Sequence, residues 1–236
     1  VFNPKPQVDP VRLEGGTVCY VVDDALEQPA AARRYAVEMR SRFQPCAPNQ
    51  YPGLTLSLPE SLGPAVLSFF STHMRRRFDS RRLMHGMARY SIVTYPVEEL
   101  QPLQMLCHRD EPVGSPQYSV VGAVLYLFDD AGLGGTSFYE PARPHAEIER
   151  LFGDARTMSA ADFTALHAIP RAYMTGSNGY FTRIATVAAK WNRLIFYDAS
   201  ILHSGDIGAP ERLSADPATG RLTINFFFSS RRNLVS

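Results

Sequence analysis

The chain has 236 residues, 45% of them hydrophobic, and sets 24 Lys and Arg against 23 Asp and Glu for a formal net charge of +1. That is enough apolar matter for one sizeable core, and the near-neutral balance leaves no basic stripe for nucleic acid. No run of about 18 apolar residues offers a membrane span, the start Val1-Phe2-Asn3-Pro4 has no signal-peptide pattern, and the scattered Cys19, Cys46 and Cys107 suit a reducing cytosol rather than a disulfide framework. We therefore expect a single cytoplasmic domain over residues 1–236 with neither a nucleic-acid nor a membrane partner.

In chain order, Thr17 to Val22 predicts a short strand. Pro29 opens a helix to about Arg42, with Ala32, Tyr35, Ala36 and Met39 at helical spacing. Asn49 to Gly53 breaks it, and a second helix is expected from Pro59 to about Phe78. Arg75, Arg76 and Arg77 fall in its last turn, where cations complement the helix dipole, so they read as a solvated helix end. His73 and His85 read as structural.

From residue 87 the pattern turns to strands: Met87 to Tyr95, Leu103 to His108, Tyr118 to Phe128, Thr136 to Tyr139, Arg193 to Tyr197, Ser200 to His203 and Arg221 to Phe228. Many short strands after a helical leader predict a mainly β protein with flanking helices (α+β), its core a double-stranded β-helix of jelly-roll, cupin-like type. Residues 1–86 would be a helical buttress and 87–228 the core. Between strands lies an insert at about 141–180, with helices from His145 to Phe152 and from Ser159 to His167, serving either specificity or packing. Gly132-Leu133-Gly134-Gly135 lacks phosphate-loop spacing and precedes a strand, so it reads as a hairpin turn.

The chemistry concentrates on His108-Arg109-Asp110, with His203 following 95 residues after the first histidine. Side chains alternate along a strand, so His108 and Asp110 share a face and Arg109 points away. Two imidazoles and one carboxylate with open positions form the facial triad of non-haem Fe(II) oxygenases. Cys107, next to His108, should point into the core. His145 and His167 do not fit the metal pattern.

Four segments resemble the prolyl-hydroxylase-like branch of the Fe(II)/2-oxoglutarate-dependent dioxygenases. They are Val93-Thr94-Tyr95-Pro96 leading to Cys107-His108-Arg109-Asp110, then Ala123 to Phe128 followed by Gly134-Gly135-Thr136, then Asn192 to Tyr197 leading to Leu202-His203, and finally Gly220 to Phe227. The resemblance implies that His108, Asp110 and His203 bind Fe(II), and that Arg221 holds the distal carboxylate of 2-oxoglutarate. A guanidinium fork suits a carboxylate and stays charged. Tyr126 falls where the family places a donor to the same carboxylate, and Tyr95 where another approaches the metal-bound end. Thr223 and Asn225 share the Arg221 face by period two. Arg221 lies 18 residues after His203, farther than is usual in that family, which leaves Arg212 as a rival in the intervening loop.

The implied reaction consumes O2, releases succinate and CO2, and hydroxylates an amino acid, a peptide or a small metabolite. The presence of Asp110 argues for hydroxylation over halogenation. A catalytically silent cupin-like module, a metalloenzyme that does not use 2-oxoglutarate and a zinc hydrolase are the alternatives. Tyr51-Pro52-Gly53 and the insert, with Arg143, Arg150, Arg156 and Arg171, are candidate substrate contacts. Several of those arginines in the pocket would favour an acidic or amino-acid substrate.

Overall fold

Alternation along the last strand decides the architecture. In the computed structural model, which describes residues 1–46, 51–59, 62–110 and 117–232, that strand runs Arg221–Arg232. Leu222, Ile224, Phe226 and Phe228 enter a large apolar cluster on one face, while Arg221, Thr223 and Asn225 share the other. Along the chain the strands are β1 (Asp9–Arg12), β2 (Val18–Val22), β3 (Gln44–Pro45), β4 (Gly53–Ser57), β5 (Ser80–Val93), β6 (Tyr118–Tyr126), β7 (Thr136–Pro141), β8 (Phe181–Val187), β9 (Leu194–Asp198), β10 (Leu202–Gly205) and β11 (Arg221–Arg232).

Eight of them form one sheet in the order β1-β2-β9-β6-β11-β5-β4-β3, and three form a second in the order β10-β7-β8. An isolated antiparallel bridge sets His108 against His203 on the free edge of β10, adding a fourth position to the smaller sheet. The sheets meet across Tyr126, Phe138, Val187, Ile195 and Tyr197, which pack in one cluster. This is a mainly β structure with flanking helices, built on a double-stranded β-helix core.

Helices α1 (Pro29–Glu38) and α2 (Gly63–Phe69) cover the outer face of the large sheet. Phe70 stacks on Phe228 at 4.2 Å between ring centroids, and the Tyr90 hydroxyl donates to the Ala32 carbonyl at 3.1 Å. The expected long second helix is in fact three pieces. After α2 comes one widened turn, Phe70–Met74, and one tightened turn, Arg75–Phe78, closed by Asp79 in the left-handed region at φ 49°. The widened turn shifts the register so that Phe69, Phe70 and Met74 all face the sheet. Residues 1–86 are also less helical than expected, because β1 to β4 extend both edges of the large sheet.

The strand expected from Leu103 to His108 is replaced by a short helical turn, Pro102–Met105. Pro102 sits in its first turn, where a missing N–H costs nothing, and Gln101 and Gln104 cap each other reciprocally. The insert holds α3 (His145–Thr157) and α4 (Ala160–His167), the latter capped by the Ser159 side chain accepting from the Asp162 amide at 3.2 Å. Strand β8, directly after the insert, was not anticipated. The expected break from Asn49 to Gly53 lies partly outside the described residues, as does the stretch just after Pro59; Gly53 opens β4.

Candidate metal centre

His108 and His203 exchange two backbone hydrogen bonds of 2.9 Å each, which fixes their side chains on one face at the mouth of the barrel. Asp110, two residues on, is anchored by its amide donating to the Ala199 carbonyl at 3.0 Å. Ligand atoms of the three side chains lie within 4.8 Å of one another. Nε2 of His108 is 3.5 Å from Oδ1 of Asp110, and Nε2 of His203 is 3.2 Å from Oδ2.

His203 is buried, its ring 4.5 Å from that of Tyr197. Its Nδ1 lies 2.9 Å from the Ile201 carbonyl. A carbonyl only accepts, so Nδ1 carries a proton, and Nε2 is the nitrogen that faces Asp110. Burial pushes the Asp110 carboxyl up, but the His203 and His108 rings more than offset this and hold it well below the usual carboxylate range. Burial likewise lowers His203, and Asp110 raises it above the ordinary imidazole value. An ionised carboxylate facing two imidazole nitrogens is a donor set for a borderline divalent cation, which would displace a proton from His203 on binding.

His108 and Asp110 of the triad line a cavity of about 720 Å³ that Arg221, at the head of β11, also lines. Arg221 is 5% exposed. Its Nε donates to the carbonyls of Leu133 and Gly134 at 2.9 and 3.3 Å, and its Nη2 to that of Gly135 at 2.7 Å. The glycine turn is therefore a cradle of carbonyls around a guanidinium. Gly134 is required there on two counts: its φ is +76°, and a Cβ would meet the Asp206 carbonyl oxygen at 1.7 Å.

The other sequence candidates scatter. Tyr126 is fully buried with its hydroxyl 2.8 Å from Thr136 Oγ1, and it is not among the cavity-lining residues. Tyr95 packs in the core beneath the insert, its carbonyl accepting from the Tyr173 hydroxyl at 2.7 Å. Thr223 and Asn225 lie on the Arg221 face, but Thr223 Oγ1 bonds Asn225 Oδ1 at 3.0 Å and Asn225 Nδ2 reaches Ser91 Oγ at 3.3 Å. Arg212 pairs with Asp130 at the surface. Cys107 is buried, as expected, and burial pushes its thiol up.

Sequence reasoning undervalued Tyr51 and passed over Arg89, both of which line the cavity. The Tyr51 hydroxyl is buried close to the Thr223 and Ser91 hydroxyls, with no hydrogen bond of good geometry among the described residues. Burial pushes it up to about 12 although Arg221 and Arg89 pull it down, so at neutral pH it is a donor. Arg89 stands out only once strand alternation is followed back from Val93. From the insert, α3 presents His145, Glu149, Phe152 and Arg156 to the cavity, spaced to share one helix face. Of the insert's four arginines only Arg156 lines it; Arg143 and Arg171 donate to the Gly179 and Leu100 carbonyls. His167 ties Asp154 to Tyr180, at 3.0 and 2.8 Å.

A model of a family described as "Family of unknown function (DUF6445)" matches residues 4–228. No curated protein matches the chain. Similar solved structures include HygX from Streptomyces hygroscopicus with nickel and 2-oxoglutarate bound, at 13% identity, over 93% of this chain and 85% of that one with a TM-score of 0.49. The non-heme alpha-ketoglutarate-dependent epimerase SnoN from nogalamycin biosynthesis is 12% identical over 91% and 81%, with a TM-score of 0.48. EvdO2 from Micromonospora carbonacea var. aurantiaca is 12% identical over 92% and 89%, with a TM-score of 0.44.

Proposed function

The chain belongs to DUF6445, a family of unknown function, and we propose from the site itself that it is a non-haem Fe(II)/2-oxoglutarate-dependent dioxygenase of the prolyl-hydroxylase-like branch. Its reaction is the hydroxylation of an amino acid, a peptide or a small metabolite. One observation carries this reading: in a cluster of two imidazoles and a carboxylate, His108 and Asp110 line the same cavity as a buried arginine at the head of the next strand. A metal site alone would not need Arg221.

His108, Asp110 and His203 would hold the iron. Arg221 would receive the distal carboxylate of 2-oxoglutarate, and the Tyr51 hydroxyl, a buried donor in the fields of Arg221 and Arg89, fits the same acid. Bound there, iron and 2-oxoglutarate supply the oxidation, in which O2 is consumed, succinate and CO2 are released and a substrate C–H bond becomes C–OH. The chain supplies position and dryness. Leu106, Met174, Leu202 and Ile207 give the cavity an apolar lining that strengthens every charge-assisted contact inside it. Cys19, Cys46 and Cys107 are free, in keeping with a reducing compartment. No helix among the described residues is long and apolar enough to cross a membrane.

The test uses protein loaded with Mn(II), which permits binding without turnover. A ligand at a hundredfold excess over its dissociation constant stabilises the native state by about 2.7 kcal/mol. Millimolar 2-oxoglutarate should therefore raise Tm, and succinate, which lacks the keto oxygen, should raise it less. His203→Ala should abolish both iron retention and succinate release. Absence of any shift in the metal-loaded wild type would remove 2-oxoglutarate from the assignment.

A further inference from the structure

Among the described residues Arg89 is a cation without a counterpart. It lies on β5, on the same face as Val93, which stands opposite Arg221 in the register of β5 and β11. Its Nε is buried with no hydrogen-bond partner among the described residues. Its Nη1 sits 3.2 Å from the Cys46 sulfur, and its guanidinium carbon lies 5.8 Å from the Phe227 ring centroid. Neither neighbour is an anion, and no carboxylate of a described residue pairs with it. A guanidinium taken partly out of water with a donor unmet is costly, and the direction in which Arg89 is open is the cavity.

The charges around the cavity lean the same way. A divalent metal, Asp110, the dianion 2-oxoglutarate and Arg221 would neutralise one another. What then remains on the walls among the described residues is Arg89, Arg109 and Arg156 against Glu149 alone, and Glu149 already faces His145 Nδ1 at 3.8 Å. Arg109, expected from strand alternation to point away, instead lines the cavity, with its Nε donating to the Ser200 carbonyl at 2.8 Å. A walled cavity of one sign concentrates ligands of the other.

We propose, building on the oxygenase reading, that the primary substrate is an acid and that Arg89 receives its carboxylate. In this reading the cosubstrate acid goes to Arg221 with Tyr51, and Arg89, whose backbone lies four residues or about 13 Å of strand from Val93, is left for the substrate. Arg156, projecting from α3 across the opening, supplies a second cation on the path inward.

The test titrates matched pairs of probes into Mn(II)-loaded protein saturated with 2-oxoglutarate. The probes are benzoate, phenylacetate and N-acetylated amino acids, each against its primary amide, followed by Tm and by paramagnetic broadening of probe resonances. Acids should bind in preference to amides. Arg89→Gln should weaken the acids by roughly ten- to a hundredfold, the range of one charge-assisted pair, and erase the preference. The Tm shift due to 2-oxoglutarate should persist in that variant. Arg89→Lys, which keeps the charge, should restore part of the preference and guards against a folding defect in the first variant. No acid-over-amide preference at millimolar probe, whether both bind or neither does, overturns the proposal, as does a preference unchanged in Arg89→Gln. The two readings fail separately. A 2-oxoglutarate shift without acid preference removes only the acid substrate. An acid preference lost in Arg89→Gln without any 2-oxoglutarate shift removes only the cosubstrate.

Discussion

In the proposed reading Arg221 would have two tasks, and they would compete for the same five N–H groups. Its Nε and Nη2 hold three carbonyls of the glycine turn, while the rest of the fork is open to an acid in the cavity. Lysine would keep the charge but lose the fork, leaving buried carbonyls unpaired at about 1–3 kcal/mol each. We predict that Arg221→Lys is destabilised by about 3 kcal/mol in urea unfolding with no ligand present, and that it also loses the Tm response to 2-oxoglutarate. Wild-type stability in that variant would mean that the cradle contributes nothing. At this scale the sequence was most legible where chemistry follows a local rule. His108 and Asp110 do come together, although a bridge at His108 and the Asp110 amide on Ala199, not a continuous strand, set them there, and Arg221 heads a clear strand. Tyr51 was hard to read because its partners come from other strands, and such pairings leave no local trace. Tyr126 fails for a related reason: Thr136, from the opposite sheet, engages its hydroxyl.

Among the elements, β6, β9 and β11 were legible because apolar, β-branched runs between turns have few other uses. The second helix and the segment before His108 were not, since a widened turn or a two-glutamine cap depends on which side chains must meet the core. The junction of β2 with β9 offers a test at this level. Asp23, just after β2, bonds Arg193 just before β9 at 2.6 Å and Lys190 at 2.7 Å. The hydrogen bond from Arg193, opposed by burial and helped by Lys190, lowers its carboxyl to about 2. A carboxyl whose folded value is depressed stabilises the fold above its unfolded value and loses that contribution as pH falls toward the folded one. Asp23→Asn should therefore flatten the acid limb of the stability profile between about pH 4 and pH 2, and should differ little from wild type below about pH 2. Because the carboxylate is about a third exposed, the amplitude should be about 1 kcal/mol or less. An acid limb identical to wild type in urea titrations would show that this junction does not contribute to it.

For the whole molecule, the large sheet separates two tasks. Its outer face carries α1, α2 and the aromatic stack of Phe69, Phe70, Phe196 and Phe228, and its inner face carries Arg89 and Arg221. Stability and chemistry should thus be separable by mutation. Phe70→Ala, at a side chain with no exposed surface, should cost about 3–5 kcal/mol yet leave Mn(II) affinity unchanged below the melting transition. A parallel loss of metal affinity, read by calorimetry, would show that the sheet transmits the outer cavity to the inner face. The mainly β plan with flanking helices was readable from composition and periodicity. The extension of the large sheet by β1 to β4 was not, because their partners lie far along the chain.

The smaller sheet is finished by two of the proposed metal ligands. His108 meets β10 only through the bridge to His203, so two amides and two carbonyls belonging to proposed ligands are the rung that closes that edge. A cation gripping both imidazoles would clasp the same two residues through their side chains, adding a cross-link beside a single ladder step. The metal would then act as a rivet at a seam: its arrival would slow backbone hydrogen exchange at His108 and His203, and its departure would let that margin of the barrel breathe.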